Sequence, residues 1–508
     1  MNKFLLTIIF LVLAHIASAQ TKQDYICLFG QDMSSSGFNG YIFDFNIPDE
    51  QVIEHDNNIG IGKANTSICD KDGNLLFYMN GCAVMNKDFE MMPDGDRLSY
   101  NVIWQLLNLR CNDGTVGSFQ DHITLTDPAD EDEFYILHKP KIFNGIGLTD
   151  SLPLWYSKVD MTREGGLGDV VLKNKVFDSS VRFLSSYLTA INHENGEDWW
   201  VIQAPIDDSV FHTYMIDSDG FRLDQIQNSD YFFTLSHTSA SGTAKFSPDG
   251  TKYAMYNEVD GLLIYGFDRS TGYLNFQERI IPYVHTGPSI FCSVEWSPNS
   301  RFIYTASSQF LHQIDLWEEN VQENGIRLID TYNGTQDPFS TTFFLMAQAP
   351  DCKIYMCPTS GTRSYHVIKK PNELGTACEF VQNGVKLPQQ SNFGGMPNFP
   401  RFRVDEEEKC DPTLTSVFGD AVYYRRDLTV YPSPSDGRYT IEVPDGFDRG
   451  QLSVINLDGQ IVENKEISSG TLSVTVDITR YPSGYYHVEL YPDENVERIF
   501  WSQQVVKK

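Results

Sequence analysis

The sequence has little positive charge. Its 508 residues contain 38 Lys and Arg against 68 Asp and Glu, which gives a formal net charge of -30 at pH 7. A surface of this sign repels phosphate groups, so the composition argues against nucleic acid as a partner and against binding to anionic membranes.

Long apolar runs are absent after the first twenty residues. Lys3, the run "FLLTIIFLVLA" and Ala17-Ser18-Ala19 have the three parts of a secretory signal peptide, with cleavage expected after Ala19. No later run approaches the roughly 20 apolar residues that a transmembrane helix needs. We therefore predict a signal peptide at residues 1–19, no transmembrane segment and a mature protein outside the cytoplasm.

Motifs of common enzymes are absent too. The sequence contains no G-x-S-x-G, no H-E-x-x-H and no Walker A loop. His122, His193 and His237 each stand beside a predicted strand without a second ligand at metal spacing, so we interpret them as hydrogen-bonded structural histidines. The sequence predicts no catalytic residue, no metal site and no cofactor.

Cysteine is scarce and its count is odd. With nine cysteines, at least one stays unpaired in a monomer. Cys352 and Cys357 lie five residues apart in a predicted strand, which separates them too far for a disulfide bond between them. The pairing of the others is left open.

What the sequence does contain is a recurring phrase. "AKFSPDGTKYAMYN" begins at Ala244, and similar phrases begin at Ile68, Val294 and Ala347. In Ser-Pro-Asp-Gly the proline sets φ at the second turn position and the glycine relieves the fourth, which is typical of a type I turn between two strands. The phrase therefore predicts a β-hairpin.

Two weaker copies complete a series at intervals of about 50 to 65 residues. The turns are anchored at Asp72, Glu131, Gly196, Asp249, Asn299 and Asp351. Each interval also contains two further strand-like runs. Four strands in about 50 residues, repeated, indicate a β-propeller, in which each sheet is covered by its neighbours.

A seventh blade is predicted from the two ends of this region. "FPRFRV" at 399–404 looks like a lone first strand, whereas 25–30, 41–46 and 51–56 look like three strands that lack one. We predict that Phe399–Val404 pairs with Tyr25–Phe29 and closes the ring. The fold class is thus all-β, with a seven-bladed propeller over residues 20–404.

These repeats resemble known propellers. "SPDG" before a short apolar strand is similar to the TolB-like and WD-like repeat. "DKDGNLLFYMNG" with "MMPDGDRL" resembles secreted propellers of Gram-negative bacteria that use the type IX secretion system. The resemblance covers most of residues 25–404.

The composition changes after Val404. Residues 405–428, with "DEEEKCDPTLTS", are predicted to be a linker, because they are charged and poor in core residues. Residues 429–508 contain short alternating strands separated by Pro and Gly, which predicts a small Ig-like β-sandwich.

This last region resembles the type A C-terminal sorting domain of the type IX system. The resemblance rests on an opening motif with Ser433 where the family has asparagine, on a middle turn, on a penultimate hairpin and on a tail. The matching residues are Tyr431, Pro432, Pro434, Gly437, Asp458, Gly459, Asp477, Gly484, Tyr485, Val505, Lys507 and Lys508. It implies the type IX machinery as a partner, passage across the outer membrane, and removal or surface attachment of this domain.

Aromatic residues supply the candidate ligand contacts. Trp155 and Tyr156 follow an unusually long connection, "KPKIFNGIGLTDSLPLWY", and long loops often carry binding residues. Trp199 and Trp200 occupy the second strand of their repeat and are interpreted as blade core.

We interpret the chain as a secreted or cell-surface binding module without enzymatic activity, whose partner is a surface protein or a glycan. One alternative is a polysaccharide lyase or glycoside hydrolase with acidic residues at the channel mouth, where a glycosidase needs carboxyl groups about 5 Å or 6.5 to 9.5 Å apart. Another is an envelope scaffold. A fold does not choose among these functions.

Overall fold

The computed structural model describes most of the chain. The described residues are 21–33, 38–47, 51–55, 58–63, 65–100, 119–140, 142–143, 148–149, 151–205, 208–231, 242–257, 259–282, 291–387, 390–391, 395–404, 424–444, 447–456, 461–492 and 499–508. The predicted signal peptide, with Ala17 and Ala19, and the middle turn of the tail region, with Asp458 and Gly459, lie outside them, as does His237.

The recurring phrase forms the predicted turns. Ser247 Oγ accepts the Lys252 N–H at 2.9 Å and donates to Asp249 at 2.6 Å. The Gly250 N–H donates to the Ser247 carbonyl at 2.9 Å, and Gly250 has φ +70°. Residues 297–302 repeat these bonds. The fourth turn position is left-handed, a conformation that glycine adopts without strain.

Seven sheets follow along the chain up to residue 386. Blade 1 contains β1 (Ile26–Met33), β2 (Phe38–Asp44), β3 (Gln51–His55) and β4 (Gly60–Ile61); blade 2 contains β5 (Thr66–Cys69), β6 (Leu75–Met79) and β7 (Val84–Asn86); blade 3 contains β8 (His122–Asp127), β9 (Asp130–His138), β12 (Ser151–Asp160) and β13 (Asp169–Leu184). A small hairpin of β10 (Ile142–Phe143) and β11 (Leu148–Thr149) interrupts blade 3.

The next four blades are regular antiparallel meanders. Blade 4 contains β14 (Thr189–Asn192), β15 (Trp199–Gln203), β16 (Val210–Asp217) and β17 (Gly220–Asn228); blade 5 contains β18 (Thr243–Phe246), β19 (Lys252–Asn257), β20 (Gly261–Asp268) and β21 (Tyr273–Ile280); blade 6 contains β22 (Cys292–Trp296), β23 (Phe302–Ser307), β24 (Phe310–Asp315) and β25 (Ile326–Thr331); blade 7 contains β26 (Met346–Gln348), β27 (Ile354–Met356), β28 (Ser364–Ile368) and β29 (Phe380–Lys386). A π-helical turn at Val321–Gly325 and a 3₁₀ turn at Gly375–Cys378 complete these blades.

Apolar cores between neighbouring blades close the ring. Separate clusters join blade 1 to 2, blade 4 to 5, blade 5 to 6 and blade 6 to 7, and one larger cluster joins blades 2, 3 and 4. Blade 7 meets blade 1 through Phe29 and Tyr365, with ring centroids 5.1 Å apart, and through Phe43 and Tyr355, 5.5 Å apart. The structure is therefore a closed seven-bladed β-propeller, as predicted.

The predicted closing strand is wrong. Strand β1 pairs with β2 and, through Gly30 and Gln31, with the short β4. Phe399–Val404 does not pair with Tyr25–Phe29; its described bridge is parallel, from Arg401 to Ile191 of β14. The first sheet is completed by the chain that follows it, and aromatic contacts close the ring.

The C-terminal region is a two-sheet sandwich with its own core. One sheet has the order β30 (Tyr424–Asp427), β37 (Ile499–Lys507), β36 (Gly484–Pro492), β33 (Gly450–Asn456) and β34 (Ile461–Ile467); the other has β31 (Val430–Tyr431), β32 (Arg438–Glu442) and β35 (Ser473–Asp477). Because β30 pairs in parallel with β37, the sandwich begins inside the stretch predicted as linker. The described core residues of this domain run from Leu428 to Val505.

Cys352 and Cys357 do not form a disulfide bond with each other, as predicted, but they do not lie in one strand, which was the predicted reason. Cys352 is disulfide-bonded and Cys357 is not, so the two do not pair with each other. Cys352 is a left-handed turn residue with φ +68°, and Cys357 follows β27. Cys82 is also disulfide-bonded, and the other described cysteines are buried thiols: Cys27, Cys69, Cys292, Cys357 and Cys378.

Candidate functional site: a cationic cavity on the propeller axis

Residues 395–404, here called the axial segment, run along the propeller axis. The Asn398 side chain donates to the His122 carbonyl at 3.0 Å and to the Leu188 carbonyl at 2.8 Å. Its N–H donates to the Asn65 carbonyl at 3.3 Å. These acceptors lie at the inner strands of blades 3, 4 and 2, so the segment occupies the centre of the ring.

Arg401 connects three further inner strands. Its guanidinium donates to the Phe246 carbonyl at 2.8 Å, to Gln348 Oε1 at 2.9 Å and to Glu295 Oε1. Those residues belong to blades 5, 7 and 6. Glu295 is only 1% exposed, so this arginine supplies the charge that a buried carboxylate requires.

Arg403 extends the contacts to blade 1. It binds both carboxylate oxygens of Asp24, at 2.5 and 2.6 Å, and donates to the Thr21 carbonyl at 3.1 Å. A guanidinium and a carboxylate match in this two-bond geometry. Ten residues of chain thus contact the inner part of all seven blades.

A cavity remains beside the axial segment. It is lined by Asp24, Thr189, Lys245, Pro248, Glu295, Ala347, Gln348 and residues 397 and 399–403. It encloses about 560 Å³ of empty space including its open mouth, of which about 40 Å³ admits the centres of water-sized molecules. The smaller volume has room for roughly three water molecules or one carboxylate group.

Lys245 is the group in this cavity that lacks a close partner. It is 9% exposed, and its ammonium lies 3.9 Å from Glu295 Oε2, beyond hydrogen-bond distance. No described residue accepts a hydrogen bond from it. Burial lowers the pKa of Lys245, Arg401 lowers it further and Glu295 opposes the shift.

The charges of the cavity do not balance. Arg403 is matched by Asp24 and Arg401 by Glu295, and both matches are direct hydrogen-bonded ion pairs. Lys245 then remains as one surplus positive charge. A protein of net charge -30 therefore holds a locally cationic cavity at its centre.

The cavity lies towards the face that carries the repeated turns, here called the turn face. Pro248 of the fifth blade's turn lines the cavity, and a Cβ on Gly250 of the same turn would lie 2.5 Å from Val404. In antiparallel four-stranded blades, the turn between strands one and two and the turn between strands three and four lie at the same edge. The axial segment therefore ends at the turn face.

The aromatic ligand residues proposed from the sequence lie elsewhere. Trp155 and Tyr156 are in β12, the third strand of blade 3, and not in the preceding connection. Tyr156 packs on Phe221 with ring centroids 5.6 Å apart, and Trp155 contacts His138 at 6.1 Å. Neither lines the axial cavity, and their ligand role stays a prediction.

Trp199 and Trp200 are blade core, as predicted. They are 3% and 2% exposed in β15, and their indole N–H groups donate to the carbonyls of Thr126 and Arg269. Each indole thereby reaches from one blade to a neighbour.

A second buried polar cluster lies between blades 3 and 4. Lys139 donates to the Leu184 carbonyl at 2.8 Å, to Gln203 Oε1 at 3.1 Å and to the Ser186 carbonyl, and its ammonium is 3.4 Å from Asp121. Its three N–H donors are all used. The cluster joins two blades and leaves no donor for a ligand.

His122 differs from its predicted role. It is buried, yet neither ring nitrogen has a hydrogen-bond partner among the described residues. Its ring stacks parallel to that of His138, with centroids 6.2 Å apart. His193 does accept a hydrogen bond, from the Asn195 N–H at 3.0 Å.

The sorting-motif residues converge at one end of the sandwich. Ser433, which replaces the family's asparagine, accepts the Val506 N–H through Oγ at 3.1 Å. The Ser435 N–H donates to the Val506 carbonyl, and the Lys508 N–H donates to the Ser435 carbonyl. The opening motif and the tail are therefore bonded to each other, and the serine still provides the acceptor.

Gly437 and Lys507 fit closely in the same cluster. Gly437 has φ +106°, and a Cβ there would lie 2.9 Å from Lys507 Cε. Lys507 Nζ donates to the Thr479 carbonyl at 2.9 Å, and Asp477 accepts the Thr479 N–H at 3.0 Å. Strand β36 pairs Gly484 with Lys507 and Tyr485 with Val506, and the residues Tyr431, Pro432 and Pro434 lie in the segment from β31 to β32.

Lys245, Glu295 and Arg401 were not predicted from the sequence as residues of the site. A signal was present: the position two residues before the turn is Ile68 and Ile191 in two repeats but Lys245 and Glu295 in two others. A charged residue at a position that is otherwise buried and apolar indicates a polar site on the axis.

Two negative findings apply to the described part of the chain. No group of three or more His, Cys, Asp or Glu side chains is placed to hold a metal ion. No helix in that part is long and apolar enough to cross a membrane.

Solved structures similar to this chain share little sequence with it. The periplasmic gluconolactonase PpgL of Pseudomonas aeruginosa is 12% identical, with a TM-score of 0.40 over 73% of this chain and 99% of that one. A protein from Lactobacillus plantarum is 12% identical, TM-score 0.40, over 73% and 98%. A putative 6-phosphogluconolactonase from Bacteroides uniformis is 12% identical, TM-score 0.35, over 89% and 100%. Scores this low carry no argument about function.

No curated protein matches the chain. Residues 429–502 match the family described as the secretion system C-terminal sorting domain. This match covers most of the sandwich and includes the opening motif, the middle turn and the penultimate hairpin found in its sequence, whereas the tail motif at residues 505–508 lies after it. The chain is therefore a β-propeller protein with a type IX sorting domain, exported to the cell surface or the extracellular space.

Proposed function

We propose that the propeller is a non-enzymatic binding module and that it binds its ligand at the axial cavity, through an anionic group placed beside Lys245. The observation that carries this is Lys245, a buried residue that lines the cavity and whose ammonium has no hydrogen-bond acceptor among the described residues.

A buried ammonium without a hydrogen-bond acceptor is costly, because it loses its hydration and the Glu295 carboxylate at 3.9 Å replaces it only in part. A carboxylate of the ligand would supply the missing acceptor and balance the surplus charge.

The enzyme alternative has less support. A lyase or glycoside hydrolase needs carboxyl groups free to transfer protons or attack the sugar. The two carboxylates of the cavity, Asp24 and Glu295, each accept hydrogen bonds from an arginine. The space beside them also suits a single carboxylate better than a sugar ring.

The test is thermal unfolding of the mature protein in sodium acetate and in sodium chloride at equal ionic strength. A ligand at ten times its Kd adds about 1.4 kcal/mol to the free energy of unfolding, which raises the Tm of a protein of this size by about 1 to 2 °C. We expect acetate to raise Tm in the unchanged protein and not in Lys245→Met.

Lys252→Met is the matched control, because Lys252 lies in the same hairpin but does not line the cavity. It should keep the acetate response. An equal response in all three proteins, or none in the unchanged protein, would refute the proposed site.

A further inference from the structure

The turn face around the cavity has the opposite charge to the cavity itself. Its six turns, 70–74, 127–133, 193–198, 247–251, 297–301 and 349–353, contain seven exposed acidic residues: Asp72, Asp130, Glu131, Asp132, Glu194, Glu197 and Asp249. In the same turns one basic residue, Lys71, is exposed, and it pairs with Glu131.

These acidic residues, here called the acidic ring, lie in the turns of blades 2 to 5, and hydrogen bonds tie the turns of this face to neighbouring blades. The Glu194 N–H donates to the Arg269 carbonyl of the next blade at 3.2 Å. The Asp249 N–H donates to Ser300 Oγ at 3.0 Å, and the Asn299 N–H donates to Asn372 at 3.0 Å. The acidic ring is thus a feature of folded blades.

We propose that the ligand is a basic peptide segment that presents a single carboxylate. This rests on the proposed function, because the carboxylate is the group that meets Lys245. The basic side chains next to it then lie over the acidic turns, where opposite charges attract.

The two charges together exclude other ligand classes. A polyanion, such as an acidic glycan, meets the surplus charge of Lys245 but is repelled by the ring of acidic turns. A purely basic ligand is attracted to the acidic ring but supplies no hydrogen-bond acceptor for the buried ammonium of Lys245. Only a ligand that carries one negative group next to positive groups is complementary both to the cavity and to the acidic ring.

The carboxylate has two possible sources in a peptide: its C-terminus or an Asp or Glu side chain. The shared chemistry is one carboxylate between basic residues, and the cavity is small enough to admit that group alone. The two sources are separated by experiment.

Isothermal titration calorimetry with short N-acetylated peptides tests the proposal on the mature protein. The probes are Gly-Lys-Lys-Gly as free acid and as amide, Gly-Glu-Glu-Gly as free acid, and the amide of Gly-Lys-Asp-Lys-Gly. At about 50 mM salt, where screening is weak, we expect the basic free acid to bind about tenfold tighter than its own amide and than the acidic peptide. If the aspartate peptide binds instead, a side-chain carboxylate is the source.

Variants test separately the contributions of the cavity and of the acidic turns to peptide binding. Lys245→Met should remove the advantage of the free acid over the amide. Glu194→Gln with Glu197→Gln should weaken the basic free acid and leave the acetate response of Tm unchanged. Their side chains are exposed and do not line the cavity.

Two outcomes would overturn the inference and leave the proposed function standing. One is equal affinity for basic and acidic free acids in a protein that still responds to acetate. The other is equal affinity for the basic acid and its amide, together with no tighter binding of the aspartate peptide, under the same condition. Absence of the acetate response in the unchanged protein refutes the proposed function itself.

Discussion

At the scale of single residues, Asp121 and Lys139 form a buried ion pair that is 0% exposed on both sides. Burial lowers the pKa of Lys139 to about 8, and Asp121 opposes the shift. We expect Asp121→Asn to destabilise the protein by about 3 to 5 kcal/mol, because it leaves the ammonium uncompensated. Urea unfolding measures the change.

The control for this variant is Asp72→Asn in an exposed turn. A surface change of this kind should stay within about 0.5 kcal/mol. If Asp121→Asn behaved like the control, the buried pair would contribute little to stability.

Because His122 is buried, we expect the protein to lose stability in acid. Burial lowers its pKa to about 4, with Lys139 lowering it further and Asp121 opposing. The unfolded chain binds this proton near pH 6.5 and the folded protein does not, so stability falls as pH falls from about 6.5 to about 4. The loss is up to about 3 kcal/mol for a full shift of this size.

Chemical unfolding at a series of pH values checks this, with His122→Phe as the comparison. Phenylalanine has a similar shape, does not titrate and leaves no ring nitrogen unpaired. The variant should show a smaller acid loss; an unchanged pH profile would assign the loss to other groups.

At the scale of elements, the axial segment holds the ring from inside. We expect Arg401→Met to destabilise the propeller by about 3 to 5 kcal/mol, because the buried carboxylate of Glu295 loses its partner. Urea unfolding of the variant tests this. Lys370→Met, which removes an exposed pair with Glu379, is the control and should cost at most about 1 kcal/mol.

The same elements show what a sequence can predict here. The turn phrase determines local hydrogen bonds between residues a few positions apart, so all six hairpins were predictable from the Ser247 pattern and its copies. The axial segment has no such pattern. Asn398 and Arg401 bond to residues that lie from 53 to 333 positions away in the sequence, and neither periodicity nor turn chemistry predicts a contact at that range. Lys245 was not predicted as a site residue for the same reason. Its role depends on residues of other strands that only the folded ring brings beside it.

At the scale of the whole molecule, the propeller and the sandwich have separate cores. The described core residues of the propeller lie between Tyr25 and Val404, and those of the sandwich between Leu428 and Val505. Deleting residues 424–508 should therefore leave a folded propeller. Without the sorting domain, we expect it to remain in the periplasm.

Cell fractionation with protease treatment of intact cells measures this outcome. The full-length protein should reach the surface or the medium, and the truncated protein should be protected and folded. Deleting only residues 499–508, which removes β37 and its tail motif, is a second arm and should block export in the same way. Normal export of either variant would contradict the role assigned to this domain.

The axial segment also affects how the chain reaches its folded state. Its contact from Arg403 to Asp24 closes a loop of 379 residues, against about 50 for a contact between adjacent repeats. Closure entropy grows with the logarithm of loop length, so this closure costs about 2 kcal/mol more than a contact between neighbouring repeats. Because neighbouring blades can associate at a lower closure cost, we expect the axial contacts to form late in folding. The cavity beside Lys245 would then be completed last, and an unfinished ring would have no binding site.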